Sequence, residues 1–283
     1  MSRADNISHH YDLSNDFYKL WLDDHMVYSC AYYPTGSEDI NAAQIAKLDY
    51  ICKKLRLAPG DTLLDVGCGW GALILHAAKK YGVNAHGITL SRNQFAHVEE
   101  LIKNADLSDI CRVSYADYQH LPTTEKYNKI VSVGMFEHVG KGKLPVYFDK
   151  IKQHLTDDGI FLNHGITRPR IGKRFGHSPI AKFMEEYIFP GGAIEDIGHI
   201  TEALEYEFFE VHDVEQLRLH YVKTLSHWRE RFTAHRAHLV TLVGEARVRA
   251  WEIYLAGSQI AFETGGLNLY QIVCSPRQPS GVT

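Results

Sequence analysis

A chain of 283 residues is long enough for one large α/β domain or two small ones. Hydrophobic residues make up 45% of it and charged residues 23%, the balance of an ordinary globular protein. A net charge of −4 speaks against a nucleic-acid binder, and no apolar run approaches the length that spans a bilayer. The start of the chain (Ser2-Arg3-Ala4-Asp5-Asn6) is polar and has no signal-peptide core. Cys30, Cys52, Cys68, Cys111 and Cys274 are odd in number and scattered, which fits a reducing cytoplasm.

Residues 1–35 are rich in aromatic residues and Asp/Asn and predict short helices and loops. From Asn41 to Leu57, Ile45, Leu48, Ile51, Cys52 and Leu55 recur at helix spacing, and Pro59-Gly60 ends the run. Strands are expected at Thr62–Val66, Asn84–Ile88, Cys111–Tyr115, Lys129–Val133 and Gly159–Ile166. Helices are expected after Trp70 to about Tyr81, over Arg92–Ala105 and over Lys143–Leu155. This alternation implies a doubly wound, mostly parallel sheet. Beyond Ile166 the pattern changes to a loop-rich insertion at 167–200, then a mostly helical stretch from Val214 to about Gly257. Phe208–His212 and Asn268–Cys274 are expected to pair antiparallel, making seven strands in all.

The densest signal is Leu63-Leu64-Asp65-Val66-Gly67-Cys68-Gly69-Trp70-Gly71, a buried strand that ends in an acid and breaks into alternating glycines. Such a turn brings backbone close to a ligand, and the helix behind it points amide N–H groups at the same place. Dinucleotide sites read G-x-G-x-x-G with an acid at the end of the second strand. Here the spacing is G-x-G-x-G and the second strand runs into Thr89-Leu90-Ser91, which argues against NAD. The acid-x-Gly-x-Gly pattern is similar to the S-adenosylmethionine (SAM) site of class I methyltransferases.

Four further segments carry polar groups that plain packing does not ask for: Tyr28–Tyr33, Val133–Gly140, Asn163–Ile166 and His220–Leu225. Ligands of doubly wound sheets bind outside the carboxyl ends of the strands, so Glu137 and His164 are expected in one crevice with the cofactor. Taken singly, His164 reads as a core histidine, and Tyr221 as part of a packing stripe with Leu225, Trp228 and Phe232. Cys30 reads as a small hydrophobe rather than a nucleophile. The pairs His9-His10 and His235-x-x-His238 lack a third ligand, and no metal site is expected.

The whole set resembles the cyclopropane-fatty-acyl-phospholipid synthase family, which includes the mycolic acid cyclopropane synthases. The matching residues are His10–Tyr18, Tyr28–Tyr32, the glycine turn, Thr89-Leu90-Ser91 with Gln94, Phe136–Gly140, Tyr187–Gly192, and Tyr221 with Thr224-Leu225. The larger family members have an extra N-terminal domain, and this chain is expected to be of the single-domain, mycolic type. The resemblance implies SAM held by Tyr28, Ser29, Asp65, Gly67, Gly69, Thr89, Leu90, Gln94, Asp117 and Tyr118. It implies bicarbonate held by Cys30 and Ile166 through their main chains and by Glu137, His164 and Tyr221. Two departures stand out: Tyr118 is often Trp in mycolic-type members, and Ala193-Ile194-Glu195-Asp196 replaces a usual Leu-Pro-Ser run.

The implied reaction adds a methylene from SAM to the cis double bond of an unsaturated acyl chain, in a phospholipid, to make a cyclopropane. Aromatic faces can stabilise the cation that forms on the chain, and Tyr11, Tyr28, Tyr32, Tyr33, Phe136 and Tyr221 are candidates. Bicarbonate would be the general base. Alternatives with the same cofactor are alkene methylation to a branched chain and N- or C-methylation of a small molecule; a SAM-binding module without catalysis is a third. One domain is expected over 1–283: N-terminal helices closing the site (1–57), a SAM-binding core (58–166), an acyl-substrate helical region (167–257) and a C-terminal strand (258–283). Arg168, Arg170, Lys173, Arg174 and Lys182, with Lys223, Arg229 and Arg231, suggest docking on anionic headgroups. The expected location is the cytoplasmic face of the cell membrane, as a peripheral protein and a candidate homodimer.

Overall fold

The computed structural model describes residues 14–140, 142–170, 183 and 194–277. His10–Leu13 and Tyr187–Gly192 of the family pattern lie outside them, as do Ala193, Lys173, Arg174 and Lys182. Among the described residues, two helices come first, α1 (Asn15–Lys19) and α2 (Ile40–Lys54). Then strands and helices alternate as β1 (Thr62–Val66), α3 (Ala72–Tyr81), β2 (Asn84–Thr89), α4 (Arg92–Asn104), β3 (Cys111–Tyr115), β4 (Tyr127–Val133), α5 (Leu144–His154) and β5 (Leu155–Thr167). The rest is α6 (Ile197–Tyr206), β6 (Phe209–Gln216), α7 (Arg218–Ala234), α8 (Arg236–Val243), α9 (Glu245–Glu263) and β7 (Asn268–Pro276). The seven strands form one sheet in the order β3-β2-β1-β4-β5-β7-β6. The pairs among β1 to β5 are parallel, and β7 runs antiparallel between β5 and β6. This is the class I methyltransferase fold.

Both faces of the sheet are covered, so the central strands read as nearly continuous apolar runs. Alternate residues face opposite cores. Leu64, Ile130, Phe161 and Ile272 pack with α5 and α6, while Leu63, Val131, Leu162 and Val273 pack with α2, α3 and α4. A third core gathers Phe17, Trp21, Tyr221, Trp228, Trp251 and Phe262 from the N-terminal segment, α7 and α9. Trp21 is fully buried, with ring contacts to Tyr28, Trp228 and Trp251 at 5.5, 5.7 and 5.4 Å.

Two expectations need correction. Val214–Gln216 extends β6 rather than starting a helix, because it stays in register with Ile272, Gln271 and Tyr270 of β7. Helix α9 runs on to Glu263, so the expected boundary at 257/258 cuts through a helix, and β6 places sheet inside the region assigned to substrate helices. Buried Ser258, Ala261 and Phe262 carry the apolar face of α9 past that point. The 1–283 single-domain reading is compatible with the one continuous sheet.

Candidate active site

The residues expected to hold the cofactor meet at the carboxyl ends of β1, β2, β3 and β4. A cleft enclosing about 1020 Å³, part of it open solvent, is lined by Tyr28, Ser29, Asp65, Gly67, Gly69, Thr89, Leu90, Gln94, Asp117 and Tyr118, the whole set expected from the sequence. That volume suits a nucleoside-sized ligand. Gly67 has φ 88°, and a Cβ there would sit 2.8 Å from Met135 Cγ, so the turn tolerates no side chain. At Gly69 a Cβ would meet nothing within 4 Å, which leaves the backbone open to a ligand. Thr89 Oγ1 donates to Gln94 Oε1 at 2.7 Å and fixes the end of β2. Asp117 accepts from Gln119 N at 3.0 Å and orders the 3-10 turn that carries buried Tyr118. Tyr28 bonds Tyr254 of α9 through their hydroxyls at 2.9 Å, tying the N-terminal segment to the late helices.

SAM is tested against this cleft by its own unmatched groups. Asp65 is 3% exposed and its Oδ1 has no hydrogen-bond partner among the described residues. Burial pushes the carboxyl up to about 7, with Lys47 pulling the other way. A buried acid beside an open glycine turn fits the cationic end of a bound amino acid, so the residues fit SAM.

The second constellation does not line that cleft. Glu137 sits on the 3-10 turn Phe136–His138 after β4, and its Oε1 accepts from Ile166 N at 2.7 Å. The Ile166 amide is therefore taken by Glu137 in this structure, a positioning contact that spacing did not reveal. His164 pairs with Val133 across β4–β5 and with Gln271 across β5–β7. Gln271 Nε2 lies 3.1 Å from His164 Nδ1; with the amide donating, the ring carries its proton on Nε2. Among the buried atoms without partners in the described residues are Glu137 Oε2 and His164 Nε2. Burial raises Glu137 to about 7, opposed by the Ile166 N–H, and lowers His164 to about 3, helped by Lys47 and Lys54. His164 is thus neutral near pH 7, where it donates through one nitrogen only.

Cys30 and Tyr221 come from the third core and are joined through Leu217. Cys30 Sγ lies 3.9 Å from Leu217 O, which also accepts from Tyr221 N at 3.3 Å. Leu217 N in turn donates to Leu269 O, and Leu269 is the register partner of Ile166. Burial pushes the Cys30 thiol far up, which rules out a nucleophilic thiolate there. The Tyr221 ring lies 4.6 Å from Phe262, within an aromatic wall.

Two contributors escaped the sequence reading, Lys47 and Gln271. Lys47 shares a helical stripe with Ile51 and Leu55, so a charge on an apolar face was the signal. Gln271 is fully buried between Leu269 and Val273 on one face of β7, an amide where period two asks for an apolar residue.

Several basic residues expected on a lipid-facing surface make hydrogen bonds within the chain. Arg168 donates to Ile194 O at 2.8 Å, Lys223 to Gly36 O at 2.7 Å, Arg229 to Gln259 Oε1 at 2.7 Å and Arg231 to Leu22 O at 2.8 Å. Lys223 and Arg229 stay exposed all the same. No helix among the described residues is long and apolar enough to cross a membrane.

The family model for mycolic acid cyclopropane synthetase matches residues 1–272. A probable fatty acid methyltransferase of Pseudomonas putida is 43% identical over 270 residues, covering 95% of this chain and 68% of that protein. Cyclopropane mycolic acid synthase 1 of Mycobacterium tuberculosis is 38% identical over 277 residues, covering 95% of this chain and 96% of its own. The crystal structure of the mycolic acid cyclopropane synthase CmaA1, complexed with SAH and CTAB, superposes with a TM-score of 0.92 at 36% identity, covering 97% of this chain and 98% of that one. On sequence, fold and cofactor cleft together, the chain belongs to the mycolic acid cyclopropane synthetase family and is a SAM-dependent methyltransferase.

Proposed function

We propose that this enzyme adds a methylene from SAM to the cis double bond of an unsaturated acyl chain, in a phospholipid, and closes a cyclopropane ring. The observation that carries the reading is that two buried atoms, Glu137 Oε2 on the turn after β4 and His164 Nε2 near the end of β5, have no partner among the described residues. An acceptor and a ring N–H together suit a small anion that also bears an acidic O–H, and bicarbonate has that chemistry. The relatives named as cyclopropane synthases and fatty acid methyltransferases support a lipid-chain substrate.

Bound SAM supplies an electrophilic methyl group on a sulfonium, and bound bicarbonate would supply the base for the proton lost on ring closure. The chain's own residues do the rest. Ile166 N fixes the Glu137 carboxylate, and Gln271 fixes the His164 ring. Tyr221 stands beside Phe262 and Trp228, so its wall excludes water from a cationic centre. Aromatic faces there stabilise such a cation by about 0.5–2 kcal/mol each. Alignment of a weak alkene nucleophile is worth more, about 7–11 kcal/mol. The N-terminal segment closes the site, with Tyr28 shared between cleft and aromatic core.

The test is mass spectrometry of fatty acid methyl esters after incubation with SAM, bicarbonate and cis-unsaturated phospholipid vesicles. The expected product is one CH₂ heavier with the double bond gone. Glu137→Gln and Tyr221→Phe are expected to bind SAH and form no product; normal turnover by both would overturn the bicarbonate assignment. A heavier product that keeps a double bond would mean a methyl-branched chain, and transfer only to amines would mean a small-molecule methyltransferase. Peripheral membrane docking at the cytoplasmic face is part of the same reading. Docking would fall to Arg168, Arg170, Lys173 and Arg174. Unchanged vesicle flotation after neutralising these four would count against that loop.

A further inference from the structure

The cofactor cleft holds a charge that the glycine turn does not account for. Lys47 of α2 is 2% exposed, and among the described residues lining the cleft it is the sole lysine or arginine. Its Nζ donates to Ser29 Oγ at 3.1 Å. No carboxylate of a described residue lies within 4.0 Å of it. Asp65 lines the same cleft, equally buried, and it too has no opposite charge within 4.0 Å among the described residues. The cost of holding them so shows in their titration: burial lowers Lys47 to about 8 and raises Asp65 to about 7. A buried cation and a buried anion that share a cleft without touching are complementary to a zwitterion.

We propose that Lys47, with Ser29, binds the carboxylate of the methionine part of SAM, while Asp65 takes the α-ammonium. Tyr118 and Asp117, which follow β3, line the same cleft with an aromatic face and a polar rim, which suits adenine. The inference rests on SAM as cofactor and is independent of bicarbonate.

Isothermal titration with SAH, its carboxamide and 5′-methylthioadenosine, which lacks the amino-acid part, tests it without turnover. Lys47→Met is expected to weaken SAH by about tenfold to a hundredfold, the range of a hydrogen bond to a charged group. Binding of 5′-methylthioadenosine is expected to stay at the wild-type level, which also reports an intact cleft. Wild type is expected to prefer SAH to the carboxamide, and Lys47→Met to lose that preference. Equal SAH affinity in the variant, or equal loss of all three ligands, would overturn the assignment. If Lys47→Met does not fold, Lys47→Gln takes its place. Wild-type indifference between SAH and the carboxamide would sink the proposal by itself.

Discussion

Gly165 lies between His164 and Ile166, and the space above it is filled by Phe136. A Cβ at Gly165 would stand 1.8 Å from Phe136 Cε1 and 2.5 Å from Cδ1. Ordinary carbon contacts need about 3.5–4.0 Å, so Gly165→Ala requires the ring to retreat by about 2 Å. Phe136 is 2% exposed, with little room to do so. Overpacking of this kind costs about 3 kcal/mol, which lowers Tm by about 5 °C in a chain of this size. The functional loss should be larger. Phe136 adjoins Glu137 on one tight turn, and a shift of about 1 Å at a reacting group costs about a hundredfold in rate. Scanning calorimetry and the methyl ester assay read the two effects. Phe136→Leu in the Gly165→Ala background is expected to restore much of the Tm. A Gly165→Ala enzyme with wild-type Tm and wild-type turnover would refute the packing argument.

Glu137 has its folded pKa raised from 4.5 to about 7, so its effect on stability is fully favourable below 4.5 and is lost as pH rises through 7. In the ligand-free protein, Glu137→Gln should therefore be more stable than wild type at pH 8 by about 3 kcal/mol, with the difference vanishing near pH 4.5; Tm against pH checks both ends. Gln271→Leu removes the group that sets the His164 tautomer, and kcat should fall about tenfold or more while SAH affinity holds; equal loss of both would point to a purely structural role. Trp21→Ala should cost about 3–5 kcal/mol, read by urea denaturation, and should also weaken SAH because the ring packs on Tyr28. Wild-type SAH affinity in a destabilised Trp21→Ala protein would separate the aromatic core from the cleft.

Most of the parallel sheet was legible, because strands buried on both faces leave apolar runs and the glycine turn has its own spacing. Thr62–Val66 and Cys111–Tyr115 match the expected strands end to end. The edge was harder. The start of β6 was legible over Phe208–His212, but its continuation to Gln216 carries Asp213 and Glu215 and gives no strand signal until β7 is known to lie beside it. In the site, glycines and acids at strand ends were visible because their positions are unusual for packing. Lys47 and Gln271 were hidden because each sits on a periodic apolar face, where its neighbours define the pattern and a single polar residue reads as noise. The Glu137–Ile166 contact spans 29 positions in sequence and arises from the tertiary fold alone.

The placement of β7 couples His164 to a strand more than a hundred residues away. β7 follows every other strand in sequence, yet it wedges between β5 and β6 and sets Gln271 against His164. Strands β1 to β4 and the turns that line the cofactor cleft make no ladder with it. Fraying of β7 alone would leave β5 with an open edge and His164 without the neighbour that orients it. The cleft and the His164 side of the molecule are thus two mechanical units, and either can be loosened while the other holds.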